Sequence, residues 1–335
     1  MSGANQVGKT IGSAHPAIGG SVPLSLQDLQ ALPLEEKVVR ALKVLDQALA
    51  EHRPAVAWSG GKDSTVLLHL ALAMESGIPV IYNDVGVDFA ENRRYVHQLA
   101  QAWKVNLHVA KPAPGVSFWT VVKKYGYPML GKRNTPGHQH LPETYARGLE
   151  AKGKHRQAQA VLEGHLGSSC CEFLKERPYR AMMKALGADC NITGILAGES
   201  QLRTLTWLDK GEFYQDKRGM WKDTPLSTWT DADVEVYLAQ HQVPANPLYA
   251  MGYHRNGCWP CLQDLAFADN KLAIMRVAHP KLWRFLIVDY GLGKRLIKIK
   301  LALSDGQADI FAERWGGDDI NILLEQFPCW FDRAL

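Results

Sequence analysis

No stretch of this sequence is apolar for long enough to cross a bilayer as a helix. Nor does a charged n-region followed by an apolar h-region open it. The two absences predict a soluble, cytoplasmic protein. Cysteine is scarce, at six in 335 residues. With no leader in view, that count speaks against a disulfide scaffold and makes the few thiols candidates for metal binding or catalysis. Neither sign of charge dominates. A formal net charge of +4 permits a polyanionic partner without arguing for one. No internal repeat stands out. What is there is 46% apolar content, enough for a proper core, and length for one large or two smaller domains.

Residues 1–24 are rich in Gly, Ser and Ala without periodicity and read as a mobile tail. The tail contains Gly3-Ala4-Asn5-Gln6-Val7-Gly8-Lys9-Thr10, which fits the Walker A pattern. That pattern functions only between a strand and a helix, and neither flanks it here, so it is read as a chance match. Leu34 to His52 reads as an amphipathic helix with Val38, Val39, Leu42, Leu45 and Leu49 on its apolar face.

The informative stretch follows. Pro54-Ala55-Val56-Ala57-Trp58 is a short apolar run typical of a buried strand, and Thr65 to Leu72 reads as a helix. Between them stands Ser59-Gly60-Gly61-Lys62-Asp63-Ser64. A strand, a glycine turn and a helix N-terminus make an anion site, because unpaired N–H groups and the helix dipole face the ligand. The glycines allow close approach of the backbone. Lys62 adds a cation, Asp63 a carboxylate for Mg²⁺ or for the turn, and Ser59 and Ser64 add hydroxyls. Strands at Ile78–Asp84 and Val105–Val109, with a helix Phe89–Trp103 between them, extend the unit to β-α-β-α-β. That order predicts an α/β fold, a parallel twisted sheet with helices on both faces, and a ligand at the carboxyl ends of the strands. Asp84 sits at one such end and is read either as a ligand contact or as a solvated loop acid.

Residues 111–140 are rich in Pro and Gly, carry Lys123, Lys124, Lys132 and Arg133, and read as a lid, an insertion or a plain loop. A short helix is expected near Ser117–Tyr125, and His138-Gln139-His140 is a poor metal signal by itself. Leu141–Glu163 reads as one helix. Further on come Cys170-Cys171, a helix Tyr179–Leu186, a strand Asn191–Gly198, and Glu199-Ser200-Gln201-Leu202-Arg203. A helix from Ala232 to His241 is capped by Thr230 or Asp231. Then follow Asn246-Pro247-Leu248-Tyr249 and Cys258-Trp259-Pro260-Cys261. Four soft thiolates from CC and CxxC suit an iron–sulfur cluster or tetrahedral zinc, and plain core thiols are the third reading. Adjacent cysteines reach one zinc ion only with strain. Cys190 reads as a small core residue. After Cys261 the chain reads as helical, and Lys294, Arg295, Lys298 and Lys300 form a basic face suited to phosphates or simply to solvent. The expected division is a tail at 1–24, an α/β domain at 25–265 and a helical C-terminal region at 266–335.

SGGKDS after a strand resembles the PP-loop of the ATP-pyrophosphatase superfamily, whose fold is adenine nucleotide alpha hydrolase-like. The resemblance implies ATP binding by Ser59, Gly60, Gly61, Lys62, Asp63 and Ser64, with Asn83-Asp84-Val85-Gly86 similar to a DTG-like turn near the nucleotide. The ordered set CC-x-x-x-K-x-x-P, G-x-x-x-x-E-S-x-x-R, P-L-x-x-W-T, N-P-L-Y and G-C-x-x-C resembles the phosphoadenosine phosphosulfate (PAPS) reductase branch and covers residues 54 to 261. It implies nucleotide contacts from Glu199 and Ser200 and a role for Arg203 at phosphate. Leu196 stands where many relatives have arginine. Relatives with CC…CxxC carry a [4Fe–4S] cluster, so the resemblance implies one on Cys170, Cys171, Cys258 and Cys261, with Mg²⁺ beside ATP.

Three functions stay open. The chain is most similar to the ATP-pyrophosphatase subunit of DNA phosphorothioation systems, which implies Lys62, Asp63 and Arg203 as catalytic residues. DNA and a cysteine desulfurase are then the implied partners. The alternative is a sulfonucleotide reductase acting on APS or PAPS. The third is a non-catalytic nucleotide- or nucleic-acid-binding subunit. A sulfonucleotide has no β,γ-diphosphate, and those reductases typically lack the loop lysine. They also need a mobile cysteine in an ECGLH- or ECGIH-like tail. Here Lys62 is present, and Cys329 lies in the apolar run Phe327-Pro328-Cys329-Trp330. The first reading is therefore preferred.

Overall fold

The computed structural model describes residues 24–129, 141–263, 270–304 and 323. The N-terminal tail with its Walker A pattern, Lys132, Arg133, the His138–His140 pair and Cys329 lie outside the described residues.

The expected α/β architecture forms. Six strands make one mostly parallel sheet: β1 Pro54–Ala57, β2 Val80–Asn83, β3 Leu107–Ala110, β4 Cys190–Thr193, β5 Phe213–Gln215 and β6 Trp221–Asp223. Their order is β3-β2-β1-β4-β6-β5. Pairings β1–β4, β2–β3 and β4–β6 are parallel, and β5–β6 is an antiparallel hairpin. That hairpin has no counterpart in the sequence reading. Its strands are three residues each, too short for alternation to register. β1 and β4 are neighbours although 132 residues of chain separate Ala57 from Cys190, so the strand order reverses between them. In open α/β sheets ligands bind at such a switch point, beyond the carboxyl ends of the strands.

The chain divides into two compact units, and both are discontinuous. The first gathers the described parts of Met1–Ala57, Lys62–Ser76 and Ala188–Val243, and the second those of Trp58–Gly61, Gly77–Gly187 and Pro244–Leu335. The chain enters each unit more than once.

In the first unit, α1 (Leu26–Gln30) is closed by a capping box between Ser25 and Asp28. Helix α2 (Leu34–Glu51) buries Lys37, Ala41, Leu45 and Ala48, so its inner face is rotated from the expected one and Val39 is exposed. Two alanines permit close packing, and Lys37 is drawn inward by an ion pair. Its Nζ reaches Asp233 Oδ2 at 2.7 Å and donates to the Gln30 carbonyl at 2.6 Å. Burial opposes the charge of Asp233, but its bonds to Lys37 and Thr230 outweigh that and hold its pKa below the usual carboxylate value. Lys37→Met should cost about 2 kcal/mol at neutral pH, less than a wholly buried pair because Asp233 keeps its Thr230 contacts. A depressed carboxylate stabilises above its unfolded pKa and loses that contribution as pH falls through the folded value. Urea unfolding should therefore show a deficit that closes in acid. A deficit constant down to the lowest pH at which the protein folds would exclude this pairing as its source.

The second unit holds one large core. Phe118, Tyr127, Leu166 and Leu174 share it with Leu272, Met275, Leu286, Leu292 and Leu296. The helices after Cys261 thus belong to this core and do not form a region of their own. They are α12 (Lys271–Ala278), α13 (Pro280–Arg284) and α14 (Leu292–Ser304) by chain order. On α14 Lys294 and Lys298 face solvent while Leu296, Ile297 and Ile299 are buried, so the basic face is one side of a packed helix. The long helix expected over 141–163 is two, α6 (Pro142–Glu150) and α7 (His155–Gly164). Gly153 breaks it with φ +71°.

Candidate functional site

In the first unit, α3 (Lys62–Met74) begins on Lys62 itself. The Lys62 ammonium lies 3.1 Å from Asp63 Oδ1 and also makes a short ion pair with Asp231, the first residue of α10 (Asp231–Gln240). Burial works against the charge of Lys62, yet its bonds to Asp231 and Asp63 carry its pKa above the ordinary lysine value. Burial lifts Asp63, and attraction to Lys62 only partly offsets it. The Arg203 charge is also felt at Asp63. Arg203 lies in the first turn of α9 (Gln201–Lys210) and pairs with Glu199, while Ser200 caps that helix. The fold therefore brings Lys62, Asp63, Glu199, Ser200 and Arg203 into one electrostatic neighbourhood and adds Asp231. Gly194, just after β4, makes this possible. A Cβ there would stand 2.9 Å from the Asp63 carbonyl oxygen and 3.1 Å from Ser64 Cα. Ser64 is buried in the first turn of α3. Leu196 is buried at 2% exposure, a packing role with no phosphate contact.

In the second unit three asparagines hold the glycine turn. Asn246 Nδ2 donates to the Gly60 carbonyl at 2.9 Å, and Asn256 Nδ2 to the Ser59 carbonyl at 2.7 Å. Asn92, 4% exposed, joins both through its Oδ1, at 2.7 and 3.2 Å, and donates to Ser59 O at 3.3 Å. Loop carbonyls committed to asparagines cannot face an anion. Gly60 takes φ +79°, and a Cβ on it would meet Asn92 Oδ1 at 2.5 Å. Asn246 was legible as the first letter of N-P-L-Y, but Asn92 and Asn256 carried no local signal. Asp84 closes a small turn, with Oδ1 accepting the Gly86 N–H at 3.1 Å. Its backbone N–H donates to Ala110 O, which sets the loop at the ends of β2 and β3.

The cysteines of interest all lie in the second unit, and those described are in no disulfide. Cys170 and Cys171 enter a π-helical turn, Glu172–Glu176, that runs directly into α8 (Arg177–Ala185). Single π turns recur at functional positions in helices. The CxxC turn is tied down on several sides. Asp88 and Cys258 form a β-bridge, and Trp259 N–H donates to Val87 O at 3.0 Å. Tyr127 Oη donates to Pro260 O at 2.6 Å. The buried Lys271 donates to the carbonyls of Cys258 and Cys261 at 2.9 and 2.8 Å, a clamp with no sequence signal. The hydrogen bond its own S–H donates to Cys171, burial, and the charges of Cys171, Cys261 and Cys258 push the Cys170 thiol well up. Lys175, of the CC-x-x-x-K pattern, is raised chiefly by Cys258 and also by Cys171, Asp88 and Cys261. The four thiols are thus in electrostatic reach of one another with a lysine among them. Among the described residues no three His, Cys, Asp or Glu side chains converge on a single-ion site. Cys190 sits in β4, fully buried, its thiol pushed to about 12 by burial, Asp223 and Asp189.

The sequence pattern of the family described as Phosphoadenosine phosphosulfate reductase domain matches residues 53–130 and 138–264. The chain belongs to that family. It is an enzyme of the PAPS reductase family, and the match takes in the glycine turn, Asp84, both cysteine pairs, Glu199, Ser200 and Arg203. Over 230 residues it is 27% identical to the phosphoadenosine 5'-phosphosulfate reductase of Xylella fastidiosa strain 9a5c, covering 68% of this chain and 81% of that one. Over 244 residues it is 28% identical to the enzyme of the same name from Xanthomonas campestris pv. campestris strain B100, covering 72% and 85%. A crystal structure of PAPS reductase from Candida auris, a phosphate complex, aligns at TM-score 0.45 and 21% identity over 72% of this chain and 98% of that one. No described helix is long and apolar enough to cross a membrane.

Proposed function

We propose that this PAPS reductase family member cleaves ATP between the α and β phosphates, yielding pyrophosphate and an adenylate, in the service of sulfur incorporation. One observation carries the reading. Lys62 stands at the first position of α3, its ammonium held by Asp63 and Asp231. A cation there serves a phosphate chain that extends beyond the α-phosphate. When an oxygen nucleophile attacks the α-phosphorus, a new O–P bond forms and the bond to the pyrophosphate oxygen breaks. The electron pair leaves on pyrophosphate. Lys62 offsets that charge. Asp63 and Asp231 are the carboxylates suited to Mg²⁺. Arg203, paired with Glu199, would exchange that partner for phosphate. Cys170, Cys171, Cys258 and Cys261 fit a [4Fe–4S] cluster by donor type, with Lys175 to balance negative charge. The cluster would supply electron or sulfur chemistry. DNA phosphorothioation is the setting this combination resembles, with a cysteine desulfurase as the sulfur source.

Reduction of PAPS or APS is the second reading. It is favoured by the names of the curated relatives, of which this chain covers more than four-fifths. ATP labelled at the γ position separates the two. Label should emerge in pyrophosphate, with AMP or an AMP adduct as co-product. ADP with free phosphate would end the proposal. Inert ATP together with sulfite release from PAPS or APS would establish the reductase.

A further inference from the structure

At the carboxyl ends of β2 and β3 lies an open pocket of about 280 Å³ that the foregoing chemistry does not use. Trp119, Phe118 and Pro112 give it apolar walls, and Lys111, Asp84 and Ser117 give it polar ones. Residues Ser59, Gly60 and Gly61 do not line it. Its volume is at the lower end of ligand pockets, which begin at roughly 300 Å³, so it suits one ring system.

The walls are preorganised. Helix α5 (Phe118–Tyr125) opens with a capping box between Ser117 and Thr120, which pins the segment carrying Trp119. The indole is packed against Tyr290, Phe285 and Trp259 at centroid distances of 4.8, 5.7 and 5.9 Å. It remains only partly buried. The pocket also adjoins the CxxC turn through the backbone, since Val87 lines it and accepts the Trp259 N–H at 3.0 Å.

A flat aromatic wall takes the face of a heteroaromatic ring, and a carboxylate takes its amino or N–H edge. Lys111 at the exposed rim, with Lys123 and Lys124 exposed on α5 and no acidic residue on that helix, takes an attached phosphate. We propose that this pocket is the subsite for one nucleotide of a single-stranded nucleic-acid acceptor, its base on Trp119 and its phosphate at Lys111. The proposal rests on the reading that the enzyme modifies an acceptor, and names that acceptor's class.

The test uses full-length protein and a short fluorescent single-stranded deoxyoligonucleotide at fixed low salt. Trp119→Ala should weaken binding about 10- to 100-fold, the scale of losing one base–aromatic stack, and Trp119→Phe should restore most of it. An abasic version of the probe should bind wild type and Trp119→Ala alike, which a merely structural role for Trp119 would not produce. Lys111→Glu, at an exposed position, should weaken binding and flatten its salt dependence. ATP affinity is measured on the same variants. If Trp119→Ala weakens ATP as much as the oligonucleotide, the pocket is the adenine site of ATP and the proposal is overturned. It is overturned also if none of the variants changes oligonucleotide binding. Should the variants behave as expected while ATP yields no pyrophosphate, the subsite stands and the ATP reading falls alone.

Discussion

Lys62→Ala is expected to lower pyrophosphate release from ATP by roughly 10²–10³-fold, the scale of removing one preorganised charge partner of a developing anion. The loss should fall mainly on kcat, because negative charge on the departing pyrophosphate grows in the transition state. The present contacts sharpen the expectation. Asp63 and Asp231 both point at the Lys62 ammonium. Without it they face each other with no cation between them, and Asp63, already raised by burial, would take up a proton more readily. The variant therefore loses an electrophilic partner and a carboxylate for Mg²⁺ together. Lys62→Arg should recover only part of the rate, since a planar guanidinium does not replace a compact ammonium. Steady-state kinetics decide the matter. A rise in KM with kcat intact would make Lys62 a ground-state binding residue and remove it from the chemistry.

Cys258→Ser should strip the protein of most of its iron. Wild type purified without oxygen should be brown and carry about four irons and four sulfides per chain, as one cubane requires. The same preparation of Cys190→Ser should keep them, because Cys190 is buried in a strand with Asp223 and Asp189 near its thiol. Burial raises Cys258, and Cys170 is raised by its neighbours, so without metal these thiols hold their protons at neutral pH. Loading must release those protons, and reconstitution should improve as pH rises. Stoichiometric zinc in place of iron in an anaerobic preparation would refute the cluster. So would iron retained in full by both Cys258→Ser and Cys170→Ser.

Much of this was legible in the residues alone. Strand, glycine turn and helix are local events, written in a short apolar run, a Gly-Gly pair and a 3.6-residue period. They were read correctly at 54–74, with α3 starting three residues earlier than its apolar period announced. Of the two caps offered for α10, Thr230 and Asp231, Thr230 is the one that forms. The π turn after Cys171, the short β5–β6 hairpin and the break at Gly153 were not, because each depends on packing that overrides local preference.

The sequence by itself determined the chemical alphabet of the protein: a glycine turn with its lysine, two cysteine pairs, an E-S-x-x-R segment and an α/β order to carry them. Tertiary structure alone decided which residues complete that alphabet. Asp231 reaches Lys62 across 169 residues of sequence, and Asn246 reaches the Gly60 carbonyl across 186. Lys271 and Tyr127 lock a cysteine turn whose motif does not mention them. It also drew the C-terminal helices into the core of the cysteine-bearing unit and turned one face of α2 inward around Lys37. The reason is the same throughout. Periodicity and turn chemistry act over a few residues, whereas a buried lysine or asparagine is satisfied by whichever partner packing sets beside it.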